Sequence, residues 1–189
     1  MTLDKEILTL KGDKVAEVCQ MHIDSASNQR KAGVGLILRS PHEDLIAQAV
    51  RCEFKATNNE IEYEALILGM QLALELGFIN LQVYRDSLLI VNHVNDEYVA
   101  RDSKIIAYLK VAKELKQKFR DCKLKQVPRD QNVEADALAT LGATFKPTEL
   151  ASIPIAHVLE PSIQKVYKVD KEELEDQRDG ATVLSSTYD

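Results

Sequence analysis

The order in which hydrophobic periodicity changes along this chain constrains its fold more than any other feature. Three apolar, roughly alternating runs come first: 15–24, 33–39 and 45–54. Alternation with period two marks strands, and the Ser40-Pro41 pair marks a turn after the second. The polar links between them are short, which favours antiparallel hairpin connections. The texture then switches. Thr57-Asn58-Asn59 offers side chains that can cap a helix, 60–76 is rich in strong helix formers, and Gly77 stands where a helix would stop. A short strand is expected at 81–84 and a short helix from Asp86-Ser87 to Val94. A longer helix should run from Asp102-Ser103 to about Arg120, burying Ile106, Leu109, Ala112 and Leu115 and turning lysines outward. A strand over 122–127 ends at Pro128, and a helix over 132–141 precedes Gly142.

The resulting order, βββ-α-β-α-α-β-α, requires a mixed sheet. Three antiparallel strands are followed by βαβ crossovers that place helices on the faces. We read 15–143 as this domain, 1–14 as an N-terminal extension, and 144–189 as a linker-like, acidic, flexible tail with a short helix near Lys171–Asp176. In the tail, Pro147, Pro154 and Pro161 interrupt weakly apolar stretches.

Tryptophan is absent, so Leu, Val, Ile and Ala must fill the interior. The net charge of −6 does not advertise a nucleic-acid partner, but it hides an uneven distribution. Lys110, Lys113, Lys116, Lys118, Arg120, Lys123, Lys125 and Arg129 are opposed locally only by Glu114 and Asp121, while Glu172, Glu173, Glu175, Asp176 and Asp179 load the far end with acid. Cys19, Cys52 and Cys122 are widely spaced and form no CxxC pair, which argues for buried thiols rather than zinc ligands or disulfides. With no long apolar run and no signal-like N-terminus, the expectation is a soluble intracellular protein, cytoplasmic or nuclear, monomeric and without membrane contact.

Four acids need explaining. Asp24 ends an apolar strand, Met21-His22-Ile23-Asp24, and Asp86 ends another, Leu81 to Asp86. If those strands are parallel neighbours, the two carboxylates share the edge where α/β sheets bind ligands. Glu62 lies in the first turns of the long helix and Asp136 in the first turn of the last. Singly, each has an ordinary structural explanation: Asp24 beginning a loop, Asp86 capping a helix, Glu62 and Asp136 complementing a helix dipole. Their combination is what carries weight.

Four strings occur in order: His22-Ile23-Asp24-Ser25-Ala26-Ser27-Asn28, Ala56-Thr57-Asn58-Asn59-Glu60-Ile61-Glu62-Tyr63-Glu64-Ala65-Leu66, Val83-Tyr84-Arg85-Asp86-Ser87, and Val127 to Ala139 with Asp130-Gln131-Asn132-Val133-Glu134-Ala135-Asp136 inside it. Together they resemble the type 1 ribonuclease H domain, especially that of plant gypsy-class LTR retrotransposon polyproteins. The resemblance implies a ribonuclease H-like α/β fold, a five-stranded mixed sheet of order 3-2-1-4-5 with helices on both faces. It implies that Asp24, Glu62, Asp86 and Asp136 hold two Mg²⁺ ions, with Mn²⁺ a possible substitute, against an RNA/DNA hybrid whose RNA strand is hydrolysed. Hard cations prefer such oxygen donors, and paired ions clamp an in-line displacement. It further implies that Lys55 and Thr57 meet a DNA-strand phosphate, and that Asn58, Asn59 and Asn92 reach bases and sugars in the minor groove. For these asparagines, capping and turn formation compete with that role.

The chain also departs from the family pattern. Ser25 replaces a usual glycine, Arg85 a usual small polar residue, and Gln126 and Arg129 stand in the region where some relatives carry a histidine. Strand alternation should turn Arg85 away from the metals, while its place at a strand end leaves open that it swings in. The basic handle of some relatives is reduced to Asn95-Asp96-Glu97-Tyr98. These departures keep open an alternative, a catalytically weak nucleic-acid-binding module left from a retroelement. A small-molecule-binding α/β domain ranks below both, because no glycine-rich phosphate loop is present.

Overall fold

The computed structural model describes residues 17–144 and 154–164. The expected N-terminal extension and the acid-rich stretch with its short helix near Lys171–Asp176 lie outside the described residues. The elements are β1 (Cys19–Ser27), β2 (Ala32–Arg39), β3 (Leu45–Cys52), α1 (Asn58–Glu75), β4 (Asn80–Arg85), α2 (Leu88–Val94), α3 (Ser103–Gln117), β5 (Asp121–Gln126), α4 (Val133–Thr144) and β6 (Ile155–Val158). One sheet of order β5-β4-β1-β2-β3-β6 contains the six strands found among the described residues. Its first five carry the expected 3-2-1-4-5 order, with β1, β2 and β3 antiparallel and β1, β4 and β5 parallel.

The sixth strand is a correction. Residues 155–158 fall within the stretch read as a linker-like tail, yet they pair in parallel with β3, from Ala49↔Ile155 to Cys52↔Val158. A four-residue strand between prolines gives no periodicity to detect; its partner lies about a hundred residues upstream.

Alternation sorts the sheet into two faces. Cys19, Met21 and Ile23 of β1 and Leu81 and Val83 of β4 are buried on the face covered by α1. A Cβ on Gly69 of α1 would fall 2.7 Å from the sulfur of Met21. A reciprocal capping box starts α1: the Thr57 N–H donates to Glu60 Oε2 at 2.7 Å, and the Glu60 N–H to Thr57 Oγ1 at 3.3 Å. The helix then buries Ile61, Tyr63, Leu66, Ile67, Met70 and Ala73 between the sheet and α3. The buried stripe of α3 is Ile105, Tyr108, Ala112 and Leu115, whereas Ile106 is exposed. The stripe starts one residue earlier than periodicity suggests because Tyr108 turns inward to donate to the buried Glu64 carboxylate at 2.7 Å.

The opposite face of β1, β2 and β3 receives α4. Contact is unusually close. A Cβ on Gly33 would fall 2.0 Å from the Ala139 carbonyl oxygen, and one on Gly35 2.0 Å from that of Ala135. Ala135, Ala139 and Ala143, spaced by four, form the helix side of the seam. No described helix is long and apolar enough to cross a membrane.

Candidate active site

Register brings two of the acids together. The parallel ladder of β1 and β4 pairs Met21 with Val83 and His22 with Tyr84, and the His22 and Tyr84 rings stack at 4.8 Å. Two residues further along each chain, on the same face, stand Asp24 and Asp86. Asp24 does not end its strand, as the apolar run suggested. β1 continues to Ser27 because β2 still pairs with it there, Asp24 opposite Gly35. The ladder with β4 ends first, so Asp24 sits at the fork where the two strands separate.

The flush packing of α4 delivers the third acid. Asp136 lies in the first turn of that helix, and its carboxylate acts on that of Asp24. The Asp24 carboxyl is pushed up to about 7, chiefly by burial; the Ser25 N–H opposes the rise, and the Asp86 and Asp136 carboxylates add to it. That Ser25 amide donates to Asp24 Oδ1 at 2.8 Å.

Glu62 joins through an intermediary. Arg85, fully buried, donates from Nη1 to the Glu62 carbonyl at 3.0 Å, and its Nη2 lies 3.6 Å from Glu62 Oε2. Alternation does turn Arg85 from the Asp24 face, as expected, but toward α1 and therefore onto Glu62. Burial lowers the guanidinium pKa, while Glu62, Asp24 and Asp86 each act to raise it, so this cation is within electrostatic reach of three acids.

The connection from β5 to α4 supplies residues that the sequence reading left without a role. Gln126 Nε2 donates to the Asp86 carbonyl at 3.1 Å, and Arg129 Nε lies 3.4 Å from Asp86 Oδ2. Asn132, buried, donates from Nδ2 to the Ile23 carbonyl at 2.9 Å, tying the entrance of α4 to the residue before Asp24. Its Oδ1 is buried without a partner. All three fall in or beside the Val127–Ala139 string, but only Asp136 in it advertised chemistry.

Among the described residues, no three His, Cys, Asp or Glu side chains are grouped so as to hold an ion. The donor set nevertheless suits a hard divalent cation by chemistry: carboxylates only, with burial and mutual repulsion opposing the charge of Asp24.

The residues expected to meet substrate separate into two groups. Lys55 and Thr57 line a basin of about 380 Å³ with Ser27, Arg30, Lys31 and Lys104. Asn58 accepts a hydrogen bond from Ser27 Oγ at its rim, and Asn59 is exposed in the first turn of α1. Asn92 is different. It is buried in α2 at 7% exposure and does not line this basin, because the helix turns that side chain inward.

Comparison with known proteins agrees with this architecture. A family model described as reverse transcriptase-like matches residues 22–142. The chain is 33% identical over 120 residues to Ribonuclease HI of Halobacterium salinarum, covering 62% of this chain and 60% of that protein, so it spans less than two thirds of that relative. The crystal structure of RNase H1 from the same archaeon superposes with a TM-score of 0.63 at 30% identity, covering 66% of this chain and 96% of that one. LC11-RNase H1, solved in complex with an RNA/DNA hybrid, shares the fold with a TM-score of 0.59 at 21% identity, covering 65% of this chain and 94% of that one. With its inner strand order and the extent of the family match, this chain belongs to the reverse transcriptase-like family and carries a domain of the ribonuclease H type.

Proposed function

We propose that this chain is a metal-dependent endonuclease that hydrolyses the RNA strand of RNA/DNA hybrids, a retroelement-type ribonuclease H. The observation that supports it best is the convergence of Asp24, Asp86 and Asp136 where the parallel ladder of β1 and β4 ends, with Glu62 linked to them through Arg85. Asp24, Glu62, Asp86 and Asp136 would hold two Mg²⁺ ions, or Mn²⁺ in their place, which supply Lewis acidity to activate water and stabilise the departing 3′ oxygen. The products would be 5′-phosphate and 3′-hydroxyl ends.

The chain's own groups divide the remaining work. Lys55 and Thr57, in a basin shared with Arg30, Lys31 and Lys104, attract a strand phosphate. Asn58 and Asn59, exposed beside it, offer amides that both donate and accept, as recognition of 2′-hydroxyls and base edges requires. Buried Asn92 is left as a supporting residue. Gln126 and Asn132 fix the backbones that carry Asp86 and Asp24.

The test is cleavage of a labelled hybrid in Mg²⁺ or Mn²⁺, beside single-stranded RNA and duplex DNA, with Asp86→Asn in parallel. Cleavage of the hybrid's RNA strand that falls at least 10³-fold in the variant supports the enzyme. The buried Arg85 on Glu62 favours the second reading, a binding module, which predicts hybrid binding without cleavage in either protein.

A further inference from the structure

Arg85 is the largest fully buried side chain in the domain, and its Nε and Nη2 have no hydrogen-bond partner. A buried guanidinium stays protonated, since arginine does not release its proton in proteins. Buried charge persists only where opposite charge offsets its desolvation. The available opposite charge is the acid cluster: Glu62 Oε2 at 3.6 Å, with Asp24 and Asp86 in electrostatic reach. Lys104, by contrast, pairs with Glu60 from a largely exposed position, and Arg129 meets Asp86 while 85% exposed. Of these three cations beside the acids, Arg85 is the one that is fully buried.

We infer that Arg85 is a built-in countercharge for the acid cluster, a positioning residue that holds Glu62 and competes with divalent cations for it. This deepens the nuclease reading and rests on it. Three consequences follow from charge. The site assembles without metal, because one positive charge is already in place. A divalent ion must take Glu62 from Arg85, and it meets a like charge at close range. In a site of effective dielectric about 20, that repulsion exceeds the ~1.4 kcal/mol equal to a tenfold change in affinity.

The experiment measures Mn²⁺ binding by calorimetry and metal-free thermal stability for the wild-type chain, Arg85→Met, Arg85→Ser and Arg85→Lys. Wild type should bind Mn²⁺ weakly, in the high-micromolar to millimolar range, and its Tm should barely respond to the ion. Arg85→Met and Arg85→Ser should bind at least tenfold more tightly and gain several degrees from Mn²⁺, while losing stability without it. Arg85→Lys, which keeps the charge, should stay near wild type; a purely structural role would not distinguish Lys from Met in this way. Equal affinity in wild type and Arg85→Met, with cleavage intact, overturns the inference alone. No Mn²⁺ binding by any of the proteins, with no hybrid cleavage, overturns the nuclease reading and this inference with it. Should the uncharged variants fail to fold, the wild-type titration still decides: two ions bound at low micromolar affinity would overturn the inference.

Discussion

Asp24 shows how far one side chain is shaped by its surroundings. Its folded pKa of about 7 stands above the ordinary 3.8, so the folded chain holds a proton that the unfolded chain has released. The sign follows from linkage. The stability tied to this group is fully present below about pH 4 and is lost as pH rises through 7. Asp24→Asn removes the titration, so its Tm advantage over wild type in metal-free buffer should be near zero at pH 4 and several degrees at pH 8. Melting curves across that range check it, and a gap independent of pH would rule the assignment out. The three cysteines make the opposite case, groups whose chemistry is switched off. Burial pushes the Cys19 and Cys122 thiols up to about 11 and Cys52 to about 12. At pH 8 the native chain should therefore resist alkylation, while denatured protein takes three equivalents by mass spectrometry.

At the scale of elements, the site depends on how closely α4 lies on β2. Gly35 is required there for space, since any Cβ would enter the Ala135 carbonyl, which is backbone and cannot rotate away. Gly35→Val should cost at least ~3 kcal/mol, the upper end of ordinary overpacking. Because Asp136 rides on the displaced helix, cleavage should fall further than stability explains. Urea titration and hybrid cleavage measured on the same preparation test this, and a variant within ~1 kcal/mol of wild type would refute the close approach. This seam also marks where sequence stopped being informative. The strand and helix periods of β1 to β5 and α1 to α4 were legible because each is a local pattern. That Asp24 lies mid-strand was not, because β2 rather than the apolar run extends β1 to Ser27. The four acids could be named from their strings, and alternation placed Arg85 off their face. Its grip on Glu62 depends on how α1 crosses β4, a tertiary fact with no local signature. Asn132 and Gln126 work through backbone carbonyls, which no residue pattern records.

At the scale of the molecule, the stretch after α4 is joined to the core by more than β6. Glu64 of α1, fully buried, accepts from Tyr108 at 2.7 Å, from the Ser162 amide at 2.8 Å and from Ser162 Oγ at 2.5 Å. Beside it Ile163 enters the main hydrophobic cluster. One carboxylate thus ties α1, α3 and the C-terminal segment together. Burial raises its pKa, while the Ser162 and Tyr108 hydrogen bonds hold the rise in check. Its contribution to stability is therefore greatest below its ordinary 4.5 and is lost as pH rises through the raised value. Removing a donor raises that value further and deepens the loss at neutral pH. Ser162→Ala should cost about 1.5–3 kcal/mol at pH 7.5, the range for a hydrogen bond to a charged group, and less at pH 4 where Glu64 is protonated. A chain ended after Thr144 should lose more, because it also uncovers Ile163's site and leaves β3 as an open edge. Thermal melts of both at pH 4 and 7.5 decide the matter. If the truncated chain melts with wild type at neutral pH, the segment merely rests on the domain; a deficit that grows with pH makes it part of the fold.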